Sequence, residues 1–196
     1  MPKSGDSYHH GDLRAACLRA ARDLLEENGS VALSLRAVAR RAGVSPTAPY
    51  RHYADRDALV SAVAAEGCRE LAGYLAQAHP TPSNSNDVAD VAIAYVRFAL
   101  DHPALFRAMF SEACDTTSPE RVAATAAIGE YVVTLVRQVA PGGDVEALST
   151  AVWALVHGLA FLHLDGKFDA SDPDAVAARV RAAVDALRSP SVTRPA

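Results

Sequence analysis

Lysine is almost missing from this chain: Lys3 and Lys167 are the only two among 19 basic residues. Beside the abundant alanine, that scarcity fits GC-rich coding better than a chemical role. Cysteine is also sparse. Cys17, Cys68 and Cys114 are isolated and no CxxC pair occurs, which argues against a disulfide framework or zinc site. They are expected to be buried as small hydrophobes, and neither metal nor cofactor is expected. No run of alternating β-branched residues suggests a strand, and alanine is the best helix former, so the chain is expected to be all-α. The opening MPKSGDSYHHGD has no apolar core of a signal peptide. The most apolar stretch, Ala151 to Leu164, is interrupted by His157 and His163 and reads as too short to span a bilayer. A cytoplasmic protein without membrane contact is the expectation. There is no Gly-rich phosphate loop, HExxH, nucleophile elbow or pair of carboxylates on an apolar face, so an enzyme is not expected.

Charge is divided unevenly. Through Arg56 there are 9 basic and 6 acidic residues; beyond it there are 10 basic and 17 acidic, for a net charge of −4 overall. A cationic head on an anionic body would turn the head toward a polyanion. The segment from Ser34 to Arg56, SLRAVARRAGVSPTAPYRHYADR, carries five arginines against the single acid Asp55. Ser34 caps a short helix with Leu35, Val38, Ala39 and Ala42 inward, Gly43 supplies a tight turn, and Ser45-Pro46 opens a second helix. That is the specification of a helix-turn-helix, in which one helix braces the DNA backbone and the other enters the major groove. Thr47 and Ala48 are small enough to let the leading turn approach bases. Arg51 suits bidentate contact with guanine. Tyr50, His52, Arg56 and the cap Ser45 are placed for phosphate contacts, and Arg36 can reach the backbone or a neighbouring base.

The run Ala42-Gly43-Val44-Ser45, then Tyr50-Arg51-His52-Tyr53, then Arg56-Asp57-Ala58-Leu59 resembles the signature of the tetracycline-repressor (TetR) family of bacterial regulators. The resemblance covers roughly residues 9–67. It implies a three-helix DNA-binding head on a helical ligand-binding and dimerising body, and it implies Thr47, Tyr50, His52 and Arg56 as DNA contacts. Arg56 stands where the family usually has lysine. Pro49 stands where the family usually has an apolar residue such as leucine. A helix capped at Ser45 would lose the bond from residue 49 to the Ser45 carbonyl, and Ala48 would be pushed from helical angles. A short or distorted recognition helix is therefore predicted, with its first turn opened or its regular part starting near Thr47 or Ala48.

Further helices are expected after an Asp12 cap, from Asp55 to about His79, from an Asp87 cap, over Ala104–Phe110, from Ser118-Pro119 to Val139, from Asp144 to Leu164 and from Asp172-Pro173 to Leu187. That gives about nine in all, divided as a head (9–67) and an effector-binding and dimerisation body (68–196). Tyr74, Tyr95, Phe98, Phe106, Met109, Phe110, Tyr131, Trp153, His157 and Phe161 are candidates for lining an effector pocket, with an apolar ligand expected. Trp153 and His157-Gly158 resemble the Trp-His-Gly motif of one TetR C-terminal type. Val152, Leu159, Val176, Val180, Val184 and Leu187 are candidates for a two-fold interface. The expected partners are a palindromic double-stranded operator, a small effector and a second copy, with repression the mode that the resemblance to the family implies. The alternative is a helical ligand-binding or interaction protein whose head, spoiled by Pro49, does not read DNA.

Overall fold

A computed structural model describes residues 10–80, 84–110 and 117–188. Every regular element in them is helical: α1 (His10–Asn28), α2 (Leu35–Arg41), α3 (Arg56–Ala78), α4 (Ser85–Asp101), α5 (Pro103–Phe110), α6 (Pro119–Val139), α7 (Val145–Leu164) and α8 (Pro173–Arg188). Two 3-10 turns, Ser30–Ala32 and Pro49–Arg51, complete the set. Eight α-helices thus stand where about nine were expected. The missing one is the recognition helix, which Pro49 reduces to a single 3-10 turn.

Local chemistry fixes most boundaries. The Ser34 hydroxyl accepts from Ala37 N–H at 3.2 Å, and Asp55 Oδ1 accepts from Ala58 N–H at 2.8 Å. Asp144 Oδ1 does the same for Ala147 at 3.1 Å. Each satisfies a donor that the helix itself leaves open. Two expected caps fall elsewhere. Asp12 lies inside α1, which already begins at His10. Asp87 is the third residue of α4, whose cap is Asn84; its carboxylate accepts from Asn84 N–H at 3.0 Å, closing a capping box. Gly43, at φ +69°, ends α2, and Val44 N–H reaches back to Ala39 C=O at 3.0 Å. A residue with a Cβ would be strained in that left-handed conformation.

The chain forms two compact units. The first holds residues 1–67 together with 104–123; the second holds 68–103 and 124–196. The first unit's core is built from Leu18, Leu25, Leu33, Leu35, Val38, Tyr53, Leu59 and Val60, all at most 5 % exposed. Burying one such aliphatic side chain contributes about 1.5–3 kcal/mol. The α5 segment belongs to this unit because Gly67 lets it come close. A Cβ on Gly67 would lie 2.8 Å from Met109 Sδ and 2.9 Å from Leu105 Cδ1. Arg121 then donates to Met109 C=O at 2.8 Å.

In the second unit α4 packs on both α7 and α8. Val176, Val180 and Val184 of α8 are at most 3 % exposed, and Leu159 of α7 is 6 % exposed. These four were expected at a two-fold interface, but they are spent within the chain's own core. A one-sided apolar stripe shows only that a helix is covered, not by which molecule. Leu187, at 57 %, remains exposed, and Val152 is half-buried.

Cys17 and Cys68 are buried thiols, and Cys114 lies outside the described residues. The length argument against membrane spanning does not hold: α6 and α7, at 21 and 20 residues, are both long and apolar enough to cross a bilayer. In this fold they are instead walls of a helical unit, with Ile128, Leu135, Val156 and Ala160 in its core.

Candidate functional site

The candidate surface on the first unit is built around Pro49. Lacking an N–H, Pro49 cannot bond the Ser45 carbonyl, which accepts from Ala48 N–H at 2.9 Å instead. The pattern then continues one residue short of α-helical: Arg51 N–H to Ala48 C=O at 3.2 Å and His52 N–H to Pro49 C=O at 3.0 Å. The expected distortion is therefore present, as a first turn tightened to 3-10 bonding rather than opened. Ala48 nonetheless keeps helical angles, φ −60° and ψ −45°, against the expectation for a residue before proline.

Ser45, Thr47, Tyr50 and Arg51 are exposed together on this turn, with Tyr50 52 % exposed. The Ser45 and Thr47 hydroxyl oxygens lie 3.4 Å apart. Ala48 and Pro49 face inward, and Ala48 at 8 % exposure offers a groove almost no surface. His52 is half-buried, and its Nε2 is enclosed without a hydrogen-bond partner among the described residues, so that nitrogen does not point to solvent. Next to it Tyr53 is buried, with its hydroxyl donating to Arg14 C=O at 3.4 Å. Burial pushes the Tyr53 phenol up to about 12.

The arginines divide by what holds them. Arg36 and Arg40, one helical turn apart on α2, are both exposed. Arg40 is one of the five arginines of the segment, and the sequence leaves it open between a DNA contact and a solvated surface residue. Arg41 is held back on α1 by Glu27 in a two-pronged ion pair, with Asp23 at 3.9 Å. That hydrogen bond keeps the Glu27 carboxyl below its ordinary range. Arg56 has a structural role, since its Nε donates to Leu33 C=O at 3.2 Å and its Nη2 to Ser30 C=O at 3.0 Å. It pins the 3-10 turn between α1 and α2 to the start of α3.

The expected effector-pocket residues do not form one set. Phe106, Met109 and Phe110 belong to the first unit, where Phe106 and Met109 are fully buried. Tyr131 donates to Leu75 C=O at 3.1 Å and His79 C=O at 3.2 Å, closing the last turn of α3. Phe98 packs between Tyr74 and His102, with ring centroids at 5.9 and 4.9 Å. Tyr95, Trp153, His157 and Phe161 do meet. Tyr95 Oη lies 3.0 Å from His157 Nδ1, and the His157 and Phe161 rings are 4.9 Å apart. Burial holds His157 below its ordinary pKa, which favours a neutral ring in the hydrogen bond between His157 Nδ1 and the Tyr95 hydroxyl. Burial raises the Tyr95 phenol, and a hydrogen bond from Trp153 opposes that shift. The cavity beside Tyr95 and Trp153 is only about 20 Å³, room for about one water.

Comparison with known proteins agrees with this arrangement. Residues 18–63 match the family described as bacterial regulatory proteins, tetR family, and residues 88–187 match the tetracyclin repressor-like C-terminal domain. A solved protein of unknown function from Rhodococcus sp. RHA1 is 34 % identical, with 92 % of this chain and 97 % of that one covered at a TM-score of 0.76. A tetR-family regulatory protein from Rhodococcus RHA1 shares the fold at 24 % identity and a TM-score of 0.64, covering 88 % and 95 %. An uncharacterized HTH-type transcriptional regulator of Haemophilus influenzae is 32 % identical over 120 residues, which is 61 % of this chain and 58 % of that protein. The chain belongs to the tetR family of bacterial regulatory proteins, a class of helix-turn-helix regulators rather than enzymes.

Proposed function

We propose that this chain is a cytoplasmic, homodimeric DNA-binding repressor that reads a palindromic operator and leaves it when a small, mostly apolar effector binds. Residues 9–67 would read DNA and residues 68–196 would bind the effector and the second copy. The observation that carries the reading is the exposed cluster of Ser45, Thr47, Tyr50 and Arg51 on the turn after α2, with Arg36 and Arg40 exposed on α2 itself. Hydroxyls and guanidiniums in that combination suit phosphates and guanine edges.

Pairing is supported by α7. Its Ala147, Ala151, Ala154 and Gly158 are exposed on a helix of high hydropathy, small residues that admit another helix closely, and the larger apolar Leu162 is exposed beyond them. Beside them is an apolar groove of about 490 Å³ lined in part by Leu148, Val152, Leu155 and Leu187. Of the expected interface residues, Val152 and Leu187 therefore remain available to a second copy. Two heads about 34–36 Å apart would then meet successive major grooves.

Selection from a random duplex pool tests the reading: it should yield a two-fold symmetric site, and the protein should sediment as a dimer. A strictly monomeric protein that enriches no duplex would refute it. The second reading, a ligand-binding protein that does not engage DNA, is favoured by the loss of a regular recognition helix at Pro49. Absence of duplex binding in dilute buffer, with the dimer intact, would select it.

A further inference from the structure

Between α6 and α7, within the second unit, lies an open cleft of about 380 Å³ floored by Gly129, Val132 and Trp153. Ser149 lines it as well. That residue is 8 % exposed, and its hydroxyl oxygen is buried without a hydrogen-bond partner among the described residues. Buried hydroxyls are normally satisfied, so an unmet one at the wall of a cleft points to a group that arrives from outside. Arg137 and Glu146 stand at the cleft with opposite charges, giving it no net preference for an ion.

We propose that this cleft is a binding site for a neutral, flat, mostly apolar molecule carrying one hydrogen-bonding group. The molecule lies against the Trp153 indole and exchanges a hydrogen bond with Ser149. This deepens the effector reading above by giving the effector a site and a chemical class. Gly129 keeps the indole accessible: a Cβ there would already touch Trp153 Cζ3 at 3.4 Å, and a larger side chain would occupy the ligand's place. The volume lies within the usual range for small-molecule sites, about 300–1,000 Å³. Trp153 and Val132 also wall the small cavity beside Tyr95, so a ligand pressing on the indole reaches the Tyr95–His157 pair without a separate channel. The larger groove by Leu148 and Leu187 is lined by apolar side chains alone.

Trp153 is the chain's single tryptophan, so its emission reports the cleft together with the small cavity it shares with Tyr95. The full-length protein is titrated with N-phenylnaphthylamine, a neutral flat probe with one N–H. Trp153 emission should fall saturably, with one probe per chain. Ser149→Ala should weaken the probe about five- to tenfold, the usual worth of one hydrogen bond, and alanine keeps the helix. Gly129→Leu should weaken it at least about tenfold by filling the floor, and sulfonated anilinonaphthalene should bind about tenfold more weakly than the neutral probe. Circular dichroism checks the fold of both variants, and Ser149→Ala decides the matter if Gly129→Leu fails to fold. No saturable quenching, an unchanged affinity in Ser149→Ala, or equal binding of the sulfonated probe would overturn the proposal. The titration contains no DNA. Failure to bind any duplex would remove the regulator reading while leaving the probe result intact.

Discussion

Arg14 and Glu120, 106 positions apart in the chain, meet in an ion pair at 2.6 Å. The contact ties α1 to the first turn of α6, and the Tyr53 hydroxyl donates to the Arg14 carbonyl from the other side. As a pair roughly 40 % exposed within the first unit it contributes only about 0.2–1 kcal/mol. Leu105 and Met109 come close to Gly67 within the same unit.

It follows that α5 should open with the head. Native-state hydrogen exchange in rising denaturant should show the Leu105 and Met109 amides following those of Val38 and Ala39. Exchange in step with Val96 and Ala99 of α4 would contradict the division. Glu120→Ala should change stability by less than about 1 kcal/mol.

Pro49→Leu restores the missing N–H, so the Ser45 carbonyl can accept an α-helical bond and the turn at 46–51 can become a regular helix. Passing from three residues per turn to 3.6 re-aims Tyr50 and Arg51 relative to Thr47. Helix content should rise slightly, while affinity for the wild-type operator should fall about tenfold, the worth of one misdirected bidentate contact. Circular dichroism and operator titration check this; unchanged affinity with increased helix would show that Arg51 does not read a base.

The observed structural role of Arg56 and its proposed role at DNA can be separated by substitution. Arg56→Ala removes two charge-assisted bonds to Ser30 and Leu33 carbonyls and should cost about 1–2 kcal/mol, given its partial exposure. It should also weaken all duplexes similarly. Arg56→Lys keeps the charge without the fork, so DNA affinity should largely return while stability does not. Denaturant midpoints beside duplex titrations distinguish the two; recovery of both, or neither, would contradict the division of roles.

His157 gives a pH dependence. Burial depresses its folded pKa, so as pH falls the unfolded chain takes up the proton first. Stability from the neutral ring is complete above the ordinary histidine value, about 6.5, and is lost as pH falls from there to the folded value. Wild type should lose more stability than His157→Phe between about pH 7.5 and 5. Equal slopes would show that the Tyr95–His157 bond does not depend on a neutral ring.

Much of this was legible in the chain because caps and breakers act locally. Ser34, Asp55, Ser118-Pro119 and Asp144 each mark a helix start within one residue, and Pro49 announces its own distortion. Asn84 was passed over for Asp87 because both are good caps and only the folded turn decides between them. What the sequence could not supply was long-range pairing. Nothing near Val180 tells that its stripe is covered by its own chain, and nothing near Phe106 tells that it packs with the head. The same limit hid the structural role of Arg56.

The most direct measurement is duplex affinity across a salt series, using the symmetric site recovered by selection. If two heads each neutralise about three phosphates, log K should fall with log salt at a slope of about −5. A flat dependence, or no binding even in dilute buffer, would contradict the assignment of the surface around Tyr50 and Arg51 to DNA.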